Sequence, residues 1–225
     1  MQKNLTNAYF YVKWKIHSEY LNNKRGFHLM KYSTETPAPI FSALFKGVLL
    51  LIDWDNFFYS LFSRFGAGEM RIEFRIEWLM RQIREEIGEL LGGYGIVFAP
   101  EHINFLEQQI FVRHKLRLMV CPKRNLIAPK IDPKTGDLIT IEDTVDESIL
   151  WFAKIMLKHP NFKFLCLVAG DNDYVPLFKE VARYGIKRAL IAPTIDCLAK
   201  SKELINLVDK HPKSLKKMSF RLDDI

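Results

Sequence analysis

Cysteine is scarce in this chain of 225 residues, with Cys121, Cys166 and Cys197 the only three. They are odd in number, widely spaced, form no CxxC pair and stand at no ligand spacing from a histidine. A disulfide framework and a structural zinc site are therefore not expected, and buried reduced thiols are. The six histidines, His17, His28, His102, His114, His159 and His211, are scattered and make no HExxH, which leaves each as a surface or capping residue. Long apolar runs are missing too. None approaches the roughly 20 residues that cross a bilayer, and the longest, over 48–52, is broken at once by Asp53. Residues 1–10 lack the apolar core and small-residue cleavage site of a secretory signal, so the expectation is a cytoplasmic protein with no membrane partner. Internal repeats and low-complexity stretches are absent as well.

What the chain does have is apolar mass. Hydrophobic residues make up 48% of it, enough to bury a full core in one domain with attachments. Two segments organise that mass. Leu49-Leu50-Leu51-Ile52-Asp53-Trp54-Asp55-Asn56 and Phe164-Leu165-Cys166-Leu167-Val168-Ala169-Gly170-Asp171-Asn172-Asp173 are apolar runs that stop abruptly at carboxylates. A run with no polar alternation reads as a strand buried on both faces, the habit of parallel sheets covered by helices. The acids then sit at strand carboxyl ends, where open α/β sheets bind their ligands. Clustered carboxylates repel unless a cation joins them, and a divalent metal ion is the obvious candidate.

The remaining pattern alternates strands with helices. Strands are expected over 48–53, 95–100, 117–121, 162–169 and 186–192, and helices over 56–65, 71–91, 101–112, 144–159, 174–184 and 196–208. Thr144-Val145-Asp146-Glu147 matches a capping box, and Gly185 a left-handed helix end. Such alternation implies a parallel sheet with right-handed crossovers, hence an α/β fold. Residues 1–46 form an N-terminal extension whose alternation over 9–16 suits a strand on the sheet edge or on a neighbouring subunit, which would make a homodimer natural. Residues 47–209 form the core domain, and 210–225 a basic tail.

Lysine and arginine exceed aspartate and glutamate by 33 to 26, a net +7. The excess is concentrated where Arg113, Lys115, Arg117, Lys123, Arg124, Lys130 and Lys134 face the single acid Asp132, in a stretch whose prolines and Gly136 suggest a long loop. A basic loop beside an acidic metal site is what a polyanionic substrate needs. Arg113, Lys115, Lys123, Arg124 and Lys130 are accordingly candidate RNA contacts, with Trp54, expected at the rim beside Asp53, as a base-stacking platform. Phe57, Phe58, Leu61 and Phe62 have the spacing of a helix face packed on the sheet.

Among the acids, Asp146 in a first helical turn is favoured by the helix dipole, and Asp173 before Tyr174 is a plausible N-cap. Asp53 and Asp171 have no such explanation. Each completes a buried strand and would be desolvated without a partner.

Three motifs in this order resemble the NYN-domain ribonucleases of the PIN-like group. They are Leu51-Ile52-Asp53-Trp54-Asp55-Asn56, Thr144-Val145-Asp146-Glu147-Ser148-Ile149-Leu150 and Val168-Ala169-Gly170-Asp171-Asn172-Asp173-Tyr174-Val175-Pro176-Leu177, the last similar to the family's Ser-Gly-Asp-Ser-Asp-Phe signature. Ala169 stands where Ser is common, Asn172 replaces a frequent small residue, and Thr144 stands where a basic residue is looked for. The resemblance implies an open, Rossmann-like sheet of about five strands in the order 3-2-1-4-5 with helices on both faces. It also implies metal-dependent cleavage of RNA phosphodiester bonds. In that reading Asp53, Asp146, Asp171 and Asp173 hold one or two Mg²⁺ or Mn²⁺ ions, and Asn56 orients a ligand or the phosphate. Asp55 is either a supporting residue or points away.

Two rivals remain open. A haloacid-dehalogenase-like phosphatase also opens with a strand ending Asp-x-Asp, and would use Asp53 as nucleophile; Asp146 has no place in that outline. A non-catalytic RNA-binding protein would keep the acidic rim without turnover.

Overall fold

A computed structural model describes residues 47–69, 71–100, 103–131, 136, 138–142, 144–158, 162–210 and 217–222. The extension over 1–46, and with it the expected edge strand and the dimer, lies outside the described residues. In chain order the first half runs β1 (Val48–Asp53), α1 (Trp54–Glu69), α2 (Ile72–Gln82), β2 (Gly95–Pro100), α3 (Phe105–Arg113) and β3 (Leu116–Cys121). The second half runs β4 (Arg124–Ile131), β5 (Leu138–Glu142), α4 (Val145–Leu157), β6 (Phe164–Val168), α5 (Val175–Arg183), β7 (Lys187–Ala192), α6 (Ile195–Lys200), α7 (Lys202–Leu207) and β8 (Ser219–Arg221).

The main sheet is open and parallel, in the order β3-β2-β1-β6-β7-β8. Its first five members follow the expected 3-2-1-4-5 order. All six residues of β1 are buried, and α1 and α4 both pack on β1 and β2, so the central strand is covered on both faces. That is why its sequence shows no polar alternation. The three thiols are buried and form no disulfide, as expected.

Local signals act where their chemistry predicts, with informative exceptions. Gly185 sits at φ 70° and closes α5, and α1 breaks at Gly66, which has φ 69° and ψ 173°. The capping box expected at Thr144 is not formed. Thr144 Oγ1 donates instead to the carbonyl of Pro122 at 2.7 Å, and Glu147 takes Arg124 at 2.7 Å. A capping box does form at Asn104 and Glu107, at the start of α3. The helix expected over 71–91 ends earlier, with a wider-wound turn over Ile83–Ile87 following α2. The helix expected over 196–208 is two helices broken at Ser201, whose buried hydroxyl donates to the Cys197 carbonyl at 2.7 Å and so competes for that helix's own acceptor.

Two expectations are corrected. The basic stretch is not a long loop: beyond β3 it forms an antiparallel hairpin, β4 with β5, whose register shifts between Asn125 and Lys130, where Pro129 cannot join a ladder. Part of the expected tail is a sheet strand. Met218, Phe220 and Leu222 alternate, Met218 and Leu222 are buried, and β8 pairs with β7. Arg75 holds that strand in place, its buried guanidinium donating to the Leu222 carbonyl while lying 4.0 Å from the centre of the Phe65 ring. The Arg188–Asp209 pair, at 2.7 Å, ties the preceding segment to β7.

Arg75→Ala leaves a buried carbonyl short of a donor and is expected to cost about 2 kcal/mol or more in urea denaturation. Arg113→Ala breaks only the exposed pair with Glu73 and should cost below about 0.5 kcal/mol. Similar costs for the two variants would remove the anchoring role of Arg75.

Candidate functional site

Parallel strands deliver their carboxyl ends to one rim, and β1 and β6 are direct neighbours there. Asp53 is the last residue of β1. It is 4% exposed, its Oδ1 accepts the backbone N–H of Asn56 at 3.0 Å, and its Oδ2 lies 2.7 Å from the Tyr174 hydroxyl. Asp146 stands in the first turn of α4, and its Oδ1 lies 2.5 Å from the same hydroxyl. Asp171 follows β6 by three residues. Its Oδ2 accepts from Asn56 Nδ2 at 2.9 Å and its Oδ1 from the backbone N–H of Asp173 at 3.1 Å. Asn56 thus touches two acids, through its backbone and through its amide. Its Oδ1 is buried, has no hydrogen-bond partner among the described residues, and faces Gly170.

The close fit behind the Asp171 loop requires glycine. A Cβ on Gly170 would stand 2.5 Å from Cys197 Sγ and 2.7 Å from Asn56 Oδ1, inside contact distance for both. The neighbouring Asn172 is no idle replacement for a small residue. Its amide donates to the Lys200 carbonyl at 2.9 Å and accepts from Leu204 N–H at 3.3 Å, spanning the break between α6 and α7.

Electrostatics follow from this crowding. Burial pushes the Asp53 carboxyl up, hydrogen bonds from Asn56 and Tyr174 pull it down, and Asp146 and Asp171 push it up again, leaving it near 8. Burial likewise raises Asp171, to about 6, with Asp146 and Asp173 adding to the rise. The charges acting most strongly on both groups are other carboxylates. Tyr174 is also held well above its ordinary value, chiefly by burial. A hydroxyl carries one hydrogen, so two hydrogen bonds to two carboxyls require a proton on one of them.

Of the residues singled out in the sequence, Asp53, Asn56, Asp146 and Asp171 come together. Asp173 is exposed at the rim, contributes its backbone N–H and its charge, and is not an N-cap, since α5 begins without a side-chain cap. Trp54 does not stand at the rim: it is 3% exposed, stacked on Phe57 at 5.1 Å and edge-on to Phe111 at 4.6 Å. It is core, because helix α1 starts directly after Asp53 and turns the indole inward. The basic candidates divide. Lys123 and Arg124 follow β3 at its carboxyl end, tied beside Asp146 by the Thr144–Pro122 and Arg124–Glu147 contacts. Arg113 and Lys115 precede β3, a strand length of about 20 Å away at the opposite edge, with Arg113 paired to Glu73. Lys130 lies along the hairpin, opposite Ile139.

Tyr174 and Asn172 carry site contacts that the sequence reading passed over. The available signal was small: a tyrosine where the quoted signature has phenylalanine, adding only a hydroxyl.

No family model matches this chain, and no curated protein does. Among solved structures it is similar to a protein of unknown function from Vibrio parahaemolyticus RIMD 2210633, at 18% identity and a TM-score of 0.53 over 81% of this chain and 96% of the other. That likeness is one of fold.

The donor chemistry fits a hard divalent cation, since three carboxylates from distant parts of the chain converge, each with oxygen lone pairs of the kind such an ion takes. Among the described residues no group of three or more Asp, Glu, His or Cys side chains is already arranged as an ion cage. The Tyr174 hydroxyl lies between two of the acids.

Stability in EDTA is expected to fall as pH rises. Between the ordinary value of 3.8 and about 8 the folded chain keeps a proton on Asp53 that the unfolded chain has released, so stability declines across that window and the loss is complete above it. Asp171 adds to the decline up to about 6. Asp53→Asn should flatten the slope and raise the urea midpoint above wild type at about pH 8; parallel profiles for the two proteins would rule out the buried-acid account.

Proposed function

We propose that this chain is a metal-dependent ribonuclease of the NYN-domain, PIN-like kind, cleaving phosphodiester bonds in unpaired RNA. The observation that carries the reading is the convergence of Asp53, Asp146 and Asp171 at the carboxyl rim of a parallel sheet, where the charges that push Asp53 and Asp171 up are those of other carboxylates. Structural acids are ordinarily paired with lysine or arginine, as Asp209 is with Arg188.

In this reading the three aspartates would hold Mg²⁺ or Mn²⁺, with Asp173 adding charge at the rim. An ion held there would acidify a water and neutralise charge on the phosphate. Asn56 sets the Asp171 carboxylate through its amide and the Asp53 carboxylate through its backbone. Lys123 and Arg124, at the rim beside Asp146, meet the phosphates of the entering strand and supply the cation that Thr144 does not. Trp54, buried as it is, takes no part in stacking bases.

Burial of Asp53, with both its oxygens engaged, speaks against the phosphatase reading, which asks for an accessible, ionised nucleophile. One observation favours a non-catalytic RNA-binding module: the Tyr174 hydroxyl joins Asp53 to Asp146 directly.

Labelled single-stranded RNA incubated with the purified chain should be cut in Mn²⁺ and left intact in EDTA, and Asp171→Asn should lower the rate by roughly 10²-fold or more. Products independent of the metal, or equal in the variant, would move the assignment to the binding module. In RNA titrations, Lys123→Ala and Arg124→Ala should each weaken binding and reduce the slope of log affinity against log salt by about 0.7 to 1. Arg113→Ala and Lys115→Ala are the controls expected to change neither.

A further inference from the structure

We propose that the Tyr174 hydroxyl and a divalent ion compete for the same two carboxylates, so that Tyr174 sets how tightly the site takes the ion. This rests on the reading of the acid cluster as an ion site and concerns its regulation by a residue that is not itself an acid.

The hydroxyl lies 2.7 Å from Asp53 Oδ2 and 2.5 Å from Asp146 Oδ1, and so bridges the end of β1 and the first turn of α4. These are two carboxylates from elements far apart in the chain, and they repel unless something lies between them. The phenol ring has no freedom to leave. Tyr174 is fully buried, it precedes α5 directly, and its carbonyl accepts the backbone N–H of Phe178 at 3.1 Å. A cation drawing on both acids must therefore displace the hydrogen bonds that join them through a hydroxyl that stays where it is.

The energetic consequence has a definite sign. The hydroxyl stabilises the two acids when they have no cation and contributes little once a cation satisfies them. Removing it raises the free energy of the ion-free chain more than that of the ion-bound chain, and affinity for the ion rises by the difference. A purely structural tyrosine would behave otherwise, weakening both forms alike and leaving affinity unchanged. Tyr174→Phe is the apt probe because it deletes one oxygen and keeps the buried ring.

Mn²⁺ is titrated calorimetrically into wild type and Tyr174→Phe, and both are melted in EDTA and in saturating Mn²⁺. The variant is expected to bind Mn²⁺ roughly tenfold more tightly, to melt lower than wild type in EDTA, and to match it in Mn²⁺. Binding by the variant but not by wild type supports the same conclusion. Equal or weaker affinity in the variant, or the same drop in melting temperature in both buffers, overturns it. If both proteins bind alike and Asp171→Asn abolishes binding, the ion-site reading stands and the competition falls. If neither protein binds Mn²⁺, both fall. Should Tyr174→Phe not fold in either buffer, the wild type decides by its near-ultraviolet tyrosine spectrum. Adding Mn²⁺ should shift it as the buried hydroxyl loses its carboxylate partners, and an unchanged spectrum overturns the proposal.

Discussion

Holding like charges together away from water is the constraint around which the rest of this structure is arranged. Asp53 and Asp146 share one tyrosine hydroxyl, and Asp171 is drawn to the same place through Asn56. Neither contact would exist without a parallel sheet, which brings the ends of β1 and β6 side by side and presents the amino terminus of α4 to them. The apolar strands supply the folding energy, and the rim uses part of it to keep carboxylates in an environment they would otherwise leave. Burial and the neighbouring carboxylates raise both Asp53 and Asp171 for the same reason.

Much of this was legible in the sequence because its strongest signals are compositional. Runs such as Leu49 to Ile52 and Leu165 to Val168 have few alternatives to doubly covered strands, and an acid closing such a run has little reason to be there except at a rim. Strand order along the first five members is what the family resemblance implies, and the runs themselves do not set it. What escaped was decided by direction and by single atoms. Trp54 follows Asp53 in sequence, yet the immediate start of α1 sends it into the core against Phe57 and Phe111. Tyr174 differs from phenylalanine by one oxygen, and pattern cannot weigh that atom. Met218, Phe220 and Leu222 do alternate, but a basic run beside them hid a strand only three residues long. Thr144 and Glu147 have the letters of a capping box and spend them on Pro122 and Arg124.

The basic stretch teaches a different lesson about sidedness. Seven cations within 22 positions look like one patch when read along the chain. Folding runs a strand through the middle of them, so Arg113 and Lys115 precede β3 while Lys123 and Arg124 follow it at the strand's other end. In a parallel sheet, nearness in sequence across a strand means distance in space, and only the half after the strand shares an edge with the acids.

Asn172 links the acid loop to the interruption between α6 and α7, catching a carbonyl on one side of Ser201 and an amide on the other. A continuous helix would have kept both groups for itself. The interruption therefore serves the acid rim: the two backbone groups it frees hold Asn172, and with it the loop that carries Asp171, against the body of the domain.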